Sequence, residues 1–332
     1  MKWQLTDITN AQWDRALSNF AYAQFTQSSA WKTFQESLGR EVKRFIIKAN
    51  NDDLLAMCQA VFVKKTIGSF WLAQRGPILS PQIDAMKAMQ ALADQALGLL
   101  GGDAWFFRVE PVPHTEDPYF YLANPWIRKK SHDPSVTRLV NIASDDEAIL
   151  AQMHQKTRYN IRVSQKNSVK IEESDRLEDF LQLQKDTAAR DHFVAQSDAY
   201  VTKQFEALKQ NGVATLLIAK KDETALAANV LITFGDTVTY LYGASSSEQR
   251  NLMAPYLLHW ASMQYAKKQG CTYYDLWGVN AQEKNHPDYK GAWEGISRFK
   301  AGWGGQIIEL PGTYDLPLKR AWYRLAEIIK KI

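Results

Sequence analysis

The chain has 332 residues, 45% of them apolar and 23% charged, and a net charge of +4. That length suits two domains, the composition is that of an ordinary soluble globular protein, and the mild charge excludes a general nucleic-acid coat. The two cysteines, Cys58 and Cys271, form no CxxC and read as buried thiols of a reducing compartment. The polar start MKWQLTDITNAQWDR lacks a signal-peptide core, and no run reaches the roughly 20 apolar residues of a membrane span, so a cytoplasmic protein is expected.

In chain order, Asn10 to Gly39 reads as helical, with Trp13, Leu17 and Phe20 and then Trp31, Phe34 and Leu38 on its apolar face. Strands follow around Val42–Ile47, Leu54–Lys64 and Ser69–Gln74. A helix runs from about Pro81 to Leu100 and stops at Gly101-Gly102, and a strand spans Ala104–Glu110. The later half repeats this order: a helix near Ala199–Gln210, strands at Val213–Ala219, Leu226–Phe234 and Thr237–Gly243, a helix over Ala254–Gln269, and a strand at Tyr273–Trp277. Equivalent points such as Gly39 and Gly212, or Phe107 and Tyr274, lie 167 to 173 residues apart. The chain is therefore read as a duplicated α/β unit.

Five of the eleven prolines (Pro111, Pro113, Pro118, Pro125 and Pro134) fall between the copies and mark a linker. Thr137–Ile142 reads as a strand, and Ser144-Asp145-Asp146-Glu147 as the capping box of a helix. No acid occurs between Ala148 and Ile171, while Lys156, Arg158, Arg162, Lys166 and Lys170 are basic. The capped helix is read as carrying this run, which is either a phosphate-binding patch or a solvated helix face. After Pro317 an amphipathic helix ends in Lys330-Lys331 and is expected to pack back on the first domain. A membrane-surface role is the weaker reading of that helix, because its polar face has few cations before the end. The expected domains are 1–143, completed by 315–332, and 144–314.

The stretch from Thr272 to Gln306 interleaves aromatics, cations and glycines, among them Trp277, Arg298, Phe299, Lys300 and Gly302-Trp303-Gly304-Gly305. Aromatic faces stack, cations meet phosphate or carboxylate, and glycine admits close backbone, so the span suits an anionic, partly planar ligand. It reads equally as a strand, a loop and a second strand of an aromatic-rich core. The six histidines show no HxxxH or HxH spacing, and neither a nucleophile elbow nor a P-loop occurs, so neither a metal nor a cofactor is expected. The repeated unit resembles the GNAT acyltransferase fold, but the expected phosphate turn, Gln249–Pro255, has no glycine, and Leu252 and Met253 would crowd a pyrophosphate. A donor other than acetyl-CoA is therefore expected.

Two acyltransferase-like units, together with Thr26-Gln27-Ser28-Ser29-Ala30-Trp31, the run Lys156–Arg162, Tyr242-Gly243-Ala244-Ser245 and the closing YDLWGV…HP…GISRFKAGWGG, resemble the FemABX family along essentially the whole chain. The resemblance implies two tandem GNAT-type domains and transfer of an amino acid from aminoacyl-tRNA to the third stem-peptide residue of a peptidoglycan precursor. The acceptor is UDP-MurNAc-pentapeptide or a lipid-linked precursor, and the enzyme a monomer. The interval Asp175–Gly212 has room only for ordinary helices, as in short members without a coiled-coil insertion. Lys300 matches the family's essential lysine, Phe299 would contact the terminal adenosine, and Glu110 would orient or deprotonate the amine. Tyr200 and Tyr242, with Trp31 and Lys32, match precursor-binding positions, to which Trp277 and Arg298 are added, and Lys156, Arg158 and Arg162 would meet tRNA. Gln196 stands where the family has an arginine, so one phosphate contact moves to Lys32, Arg190 or Arg158 or is absent. The competing readings are an acyl-CoA N-acyltransferase and a non-catalytic RNA- or partner-binding module.

Overall fold

The computed structural model describes residues 1–112, 124–131 and 133–329. Pro113, Pro118, His114, His132 and the closing Lys330-Lys331 lie outside the described residues. The chain forms two compact units, one of residues 1–135, 285–288 and 309–332, the other of residues 136–284 and 289–308.

The first unit contains β1 (Gln4–Leu5), α1 (Asn10–Leu17), α2 (Ser29–Ser37), β2 (Val42–Lys48), β3 (Leu54–Lys64), β4 (Ser69–Ala73), β5 (Ile78–Leu79), α3 (Ala85–Leu100), β6 (Phe106–Val109) and β7 (Ile127–Lys129). The second contains β8 (Val136–Asn141), α4 (Asp146–Gln152), α5 (Gln155–Lys166), β9 (Lys170–Glu173), α6 (Leu177–Asp191), α7 (Asp198–Gln210), β10 (Ala214–Lys221), β11 (Thr224–Phe234), β12 (Thr237–Ser245), α8 (Ala254–Lys268), β13 (Tyr273–Gly278), α9 (Glu294–Ala301) and β14 (Gln306–Glu309). The chain returns to the first unit with β15 (Thr313–Pro317) and α10 (Arg320–Ile329).

Each unit has one mixed sheet flanked by helices, and the two sheets share a pattern. In the first, β2, β3 and β4 pair antiparallel, β4 pairs parallel with β6 after the α3 crossover, and β6 pairs antiparallel with β15. In the second, β10, β11 and β12 pair antiparallel, β12 pairs parallel with β13 after α8, and β13 pairs antiparallel with β8. A parallel pair needs a long crossover, and in both sheets one helix supplies it. Each sheet buries a large core, Trp3, Phe45, Trp71 and Phe107 in the first, Leu231, Leu258, Tyr274 and Trp303 in the second. Each such side chain contributes roughly 1.5–3 kcal/mol by leaving water.

Several elements differ from the sequence reading. The helix expected over residues 10–39 is two, because Ser28 caps α2 and Gln27 bonds to the backbone of Gln59 and Gln74, clasping β3 to β4. The boundary expected after residue 143 lies at Ser135, because β8 covers the edge of β13. The linker's described C-terminal part is not free chain: β7 pairs with β15. The basic run is not one helix with the capped segment: Asp145 caps α4, the chain breaks at Met153, and α5 begins after His154.

Candidate functional site

The stretch around Lys300 is held from three directions within the second unit. β13 runs through Asp275 and ends in Trp277, which sits at φ +59°, a left-handed conformation that costs a non-glycine residue about 1–2 kcal/mol. The Asp275 carboxylate secures that bend by accepting the Trp277 N–H at 2.7 Å and the Thr137 hydroxyl. Beyond it, the Asn280 N–H donates to Ser297 of α9 at 2.9 Å, and the His154 N–H donates to the Gly302 carbonyl at 2.9 Å. These bonds make residues 294–301 a helix and turn Lys300 inward. The second strand, which the span could equally have formed, is thus replaced by a helix, and Lys300 is 6% exposed.

The Lys300 ammonium donates to the Gly278 carbonyl at 2.8 Å and lies over the Tyr240 ring, 5.5 Å from its centre. Around it are the fully enclosed side chains of His259 and Tyr274, whose Nδ1 and hydroxyl are 3.1 Å apart. Burial pulls Lys300 down to about 8, a fall that the Asp275 carboxylate limits. Burial, and then the Lys300 charge, pull His259 down to about 3, so its imidazole is neutral. Burial likewise raises Tyr240 and Tyr274, keeping both phenols protonated. An ammonium has three N–H donors, and in so dry a setting it stabilises an anion far better than it would in water. Phe299 is half-buried, its ring packed on Tyr256, His259 and Trp303 at 5.3, 5.4 and 6.1 Å.

The basic helix α5 starts beside this centre, its Thr157 hydroxyl packed against Gly302. Thr157, Asn160, Ile161 and Ser164 are buried, which leaves Lys156, Arg162 and Lys166 on the solvent side. Tyr159 lies among them, 62% exposed. The sequence reading passed over Tyr159, although an aromatic spaced three residues from two cations is the available signal. Arg158 has a different job, because its guanidinium donates to the Met153 and Leu150 carbonyls and closes the end of α4.

The remaining expected residues are placed as follows. Glu110, at the end of β6 in the first unit, is 4% exposed and accepts from the Thr313 hydroxyl at 3.1 Å and the Asp133 N–H at 3.3 Å. Trp31 is a core residue, edge-on to Phe25 and Phe34, and offers no ligand face. Lys32 pairs with Glu36 at 2.7 Å. In the second unit Tyr200 and Tyr242 are half-buried, Tyr242 tilted against Phe180, while Trp277 is half-buried and Arg298 exposed. None of the replacements for the arginine missing at Gln196 is idle: Arg190 bonds to Asp191 and the Ser245 carbonyl, and Lys32 and Arg158 are engaged as described. Where a GNAT pyrophosphate turn would lie, residues 250–252 form a 3₁₀ turn with Leu252 buried, and non-glycine Gln249 and Met253 occupy left-handed conformations.

Comparison with known proteins adds the following. The FemAB family model matches residues 129–220 and 203–331. A Staphylococcus aureus protein, lipid II:glycine glycyltransferase, is 22% identical over 406 aligned positions, covering 97% of this chain and 95% of its own. An alignment longer than this 332-residue chain means that the relative has segments without a counterpart here. The crystal structure of FemX superposes with a TM-score of 0.82 at 20% identity, over 98% of this chain and all of that one. A tandem GNAT protein from the clavulanic acid biosynthesis pathway gives 0.55 at 10% identity, over 95% and 98% of the two chains. These structural likenesses establish the fold, two tandem acyltransferase-type units.

Proposed function

The chain belongs to the FemAB family, and from that premise we propose that it transfers an amino acid from aminoacyl-tRNA to the amino group of the third stem-peptide residue of a peptidoglycan precursor, building the interpeptide bridge at the cytoplasmic face of the membrane. The similarity to a lipid II:glycine glycyltransferase favours a lipid-linked acceptor over a nucleotide-linked one. The observation that carries the reading is the buried Lys300 ammonium, fixed on the Gly278 carbonyl and kept charged at neutral pH.

In this reading the acceptor amine attacks the ester carbonyl carbon of the aminoacyl-tRNA, and negative charge builds on the ester oxygen. The Lys300 ammonium stabilises that charge and the departing 3′ oxygen, worth about 3–4 kcal/mol for one well-placed donor. The C–N bond forms, the C–O bond breaks, and the proton lost by the amine balances the one gained by the ribose hydroxyl. Glu110 of the first unit is the carboxylate assigned to the acceptor amine. Tyr200, Tyr242, Trp277 and Arg298 are assigned to the precursor, and Lys156 and Arg162, with Tyr159, to the tRNA. An acyl-CoA donor is disfavoured by the 250–252 turn, where bulky side chains replace the glycine-lined cradle a pyrophosphate requires.

The test is a transfer assay with labelled glycyl-, alanyl- and seryl-tRNA against lipid II and against UDP-MurNAc-pentapeptide. Label on the lipid-linked acceptor from one of these donors is expected. Absence of transfer with every pair, alongside saturable acetyl-CoA binding, would return the chain to the acyl-CoA reading.

A further inference from the structure

We propose that the outward side of α10, with the β3–β4 hairpin beside it, is a docking surface for an anionic lipid membrane. The helix is fixed from beneath. Tyr323 and Ala326 are buried, the Tyr323 ring meets Phe106 at 5.5 Å, and its hydroxyl donates to Asp315 at 3.2 Å. Yet the apolar arc of α10 is wider than the arc the first unit covers. Trp322, Leu325 and Ile328 recur at helical spacing and are 51%, 37% and 78% exposed. The hairpin extends this surface: Val63 and Phe70 pack in one cluster with Tyr323, and between them the tip carries exposed Lys64, Lys65 and Ile67.

Charge decides what covers this surface. Few cations precede the end of this helix, but two that do, Arg320 and Arg324, flank the apolar stripe in solvent, which reverses the weaker standing given to a membrane role from the sequence. Among the described residues, two carboxylates on or beside the helix are paired, Asp103 with Lys319 at 3.0 Å and Glu327 with Lys129 at 2.6 Å. A tryptophan-bearing apolar stripe bordered by surplus cations matches a helix lying in an anionic interface, where apolar side chains reach the acyl boundary and arginine and lysine stems keep their charges among the headgroups. A second copy docked about a two-fold axis would bring the same cations face to face. An RNA would use the cations and leave the apolar stripe bare. Docking is independent of the transfer reaction, since it needs neither donor nor acceptor, so either one can fail without the other.

The experiment uses the full chain with vesicles of phosphatidylglycerol and phosphatidylcholine, or of phosphatidylcholine alone. Co-sedimentation with the anionic vesicles, weakened by salt, is expected for the native protein. Leu325→Asp/Ile328→Asp and Arg320→Ser/Arg324→Ser should each lower partitioning by about tenfold or more. An independent arm labels Ile328→Cys with an environment-sensitive dye, Cys58 and Cys271 being buried; a blue shift on anionic vesicles only is expected. Failure of the native protein to bind, or unchanged partitioning in both double variants, overturns the proposal. So does a dye shift that follows protein concentration or added tRNA rather than vesicles.

Discussion

The Lys300 ammonium donates to the Gly278 carbonyl at 2.8 Å, tying the one buried cation of α9 to the end of β13. The same strand end carries Asp275, which holds the left-handed Trp277 in place and favours the charge on Lys300. Position and protonation of the cation thus come from one local structure.

The fold bears a cost for this cation. With an ordinary value of 10.5 and a folded value of about 8, the folded state binds the Lys300 proton less readily than the unfolded chain does. The penalty, about 3 kcal/mol, is complete below pH 8 and disappears as pH rises through 10.5. Lys300→Met should therefore be at least as stable as the native protein at pH 7, the relief offset by an unpaired Gly278 carbonyl worth about 1–3 kcal/mol. Denaturant unfolding at pH 7 and pH 9 checks both points, and NMR of the lysine Nζ should place the midpoint near 8, lower in Asp275→Asn.

His259 sets the acid limit. Its folded value of about 3 lies below its ordinary 6.5, so the unfolded chain takes up the proton first as pH falls. Stability present above pH 6.5 should decline below it by up to about 1.4 kcal/mol per unit from this residue. Urea midpoints between pH 7 and pH 4 should fall more steeply in the native protein than in His259→Gln.

Gly243 is required by a close approach. A Cβ there would lie 1.6 Å from the Tyr240 hydroxyl, and the Tyr240 ring is the surface over which Lys300 sits. Gly243→Ala should cost about 1–3 kcal/mol through overpacking and displace Tyr240. A thermal melt and the Lys300 titration, read together, would register both effects.

On α5, neighbouring arginines should behave differently. Arg162→Ala and Lys156→Ala should weaken tRNA binding and flatten its salt dependence while leaving stability unchanged. Arg158→Ala should lower stability by about 1 kcal/mol, because it uncovers the Met153 carbonyl, with little effect on tRNA affinity. Filter binding across a salt series and a denaturant melt separate the two behaviours.

The repeated helices and strands were legible because they obey local rules: apolar periodicity, glycine stops and turn residues recur in both copies. The strands that complete each sheet were harder to place, because β8 and β15 lie far in sequence from some partners. The Asp315 carboxylate, for example, meets Arg108 across more than two hundred residues. Lys300 was singled out by its motif, but its helical, buried setting was not foreseen. Ile296 and Phe299 favour strands, and it is the tertiary bonds from Asn280 and His154 that make the segment a helix. Trp31, given a binding role only by the family resemblance, is instead buried on α2 against Phe25 and Phe34.

The central claim is that Lys300 acts on the transferring ester rather than in folding or tRNA capture. Single-turnover transfer from saturating aminoacyl-tRNA, measured beside tRNA affinity for the native protein and Lys300→Met, tests it most directly. The account predicts a rate lower by about 10²–10³-fold with affinity unchanged. A Lys300→Met enzyme that transfers at the native rate, or that loses rate only in proportion to lost tRNA binding, would contradict it.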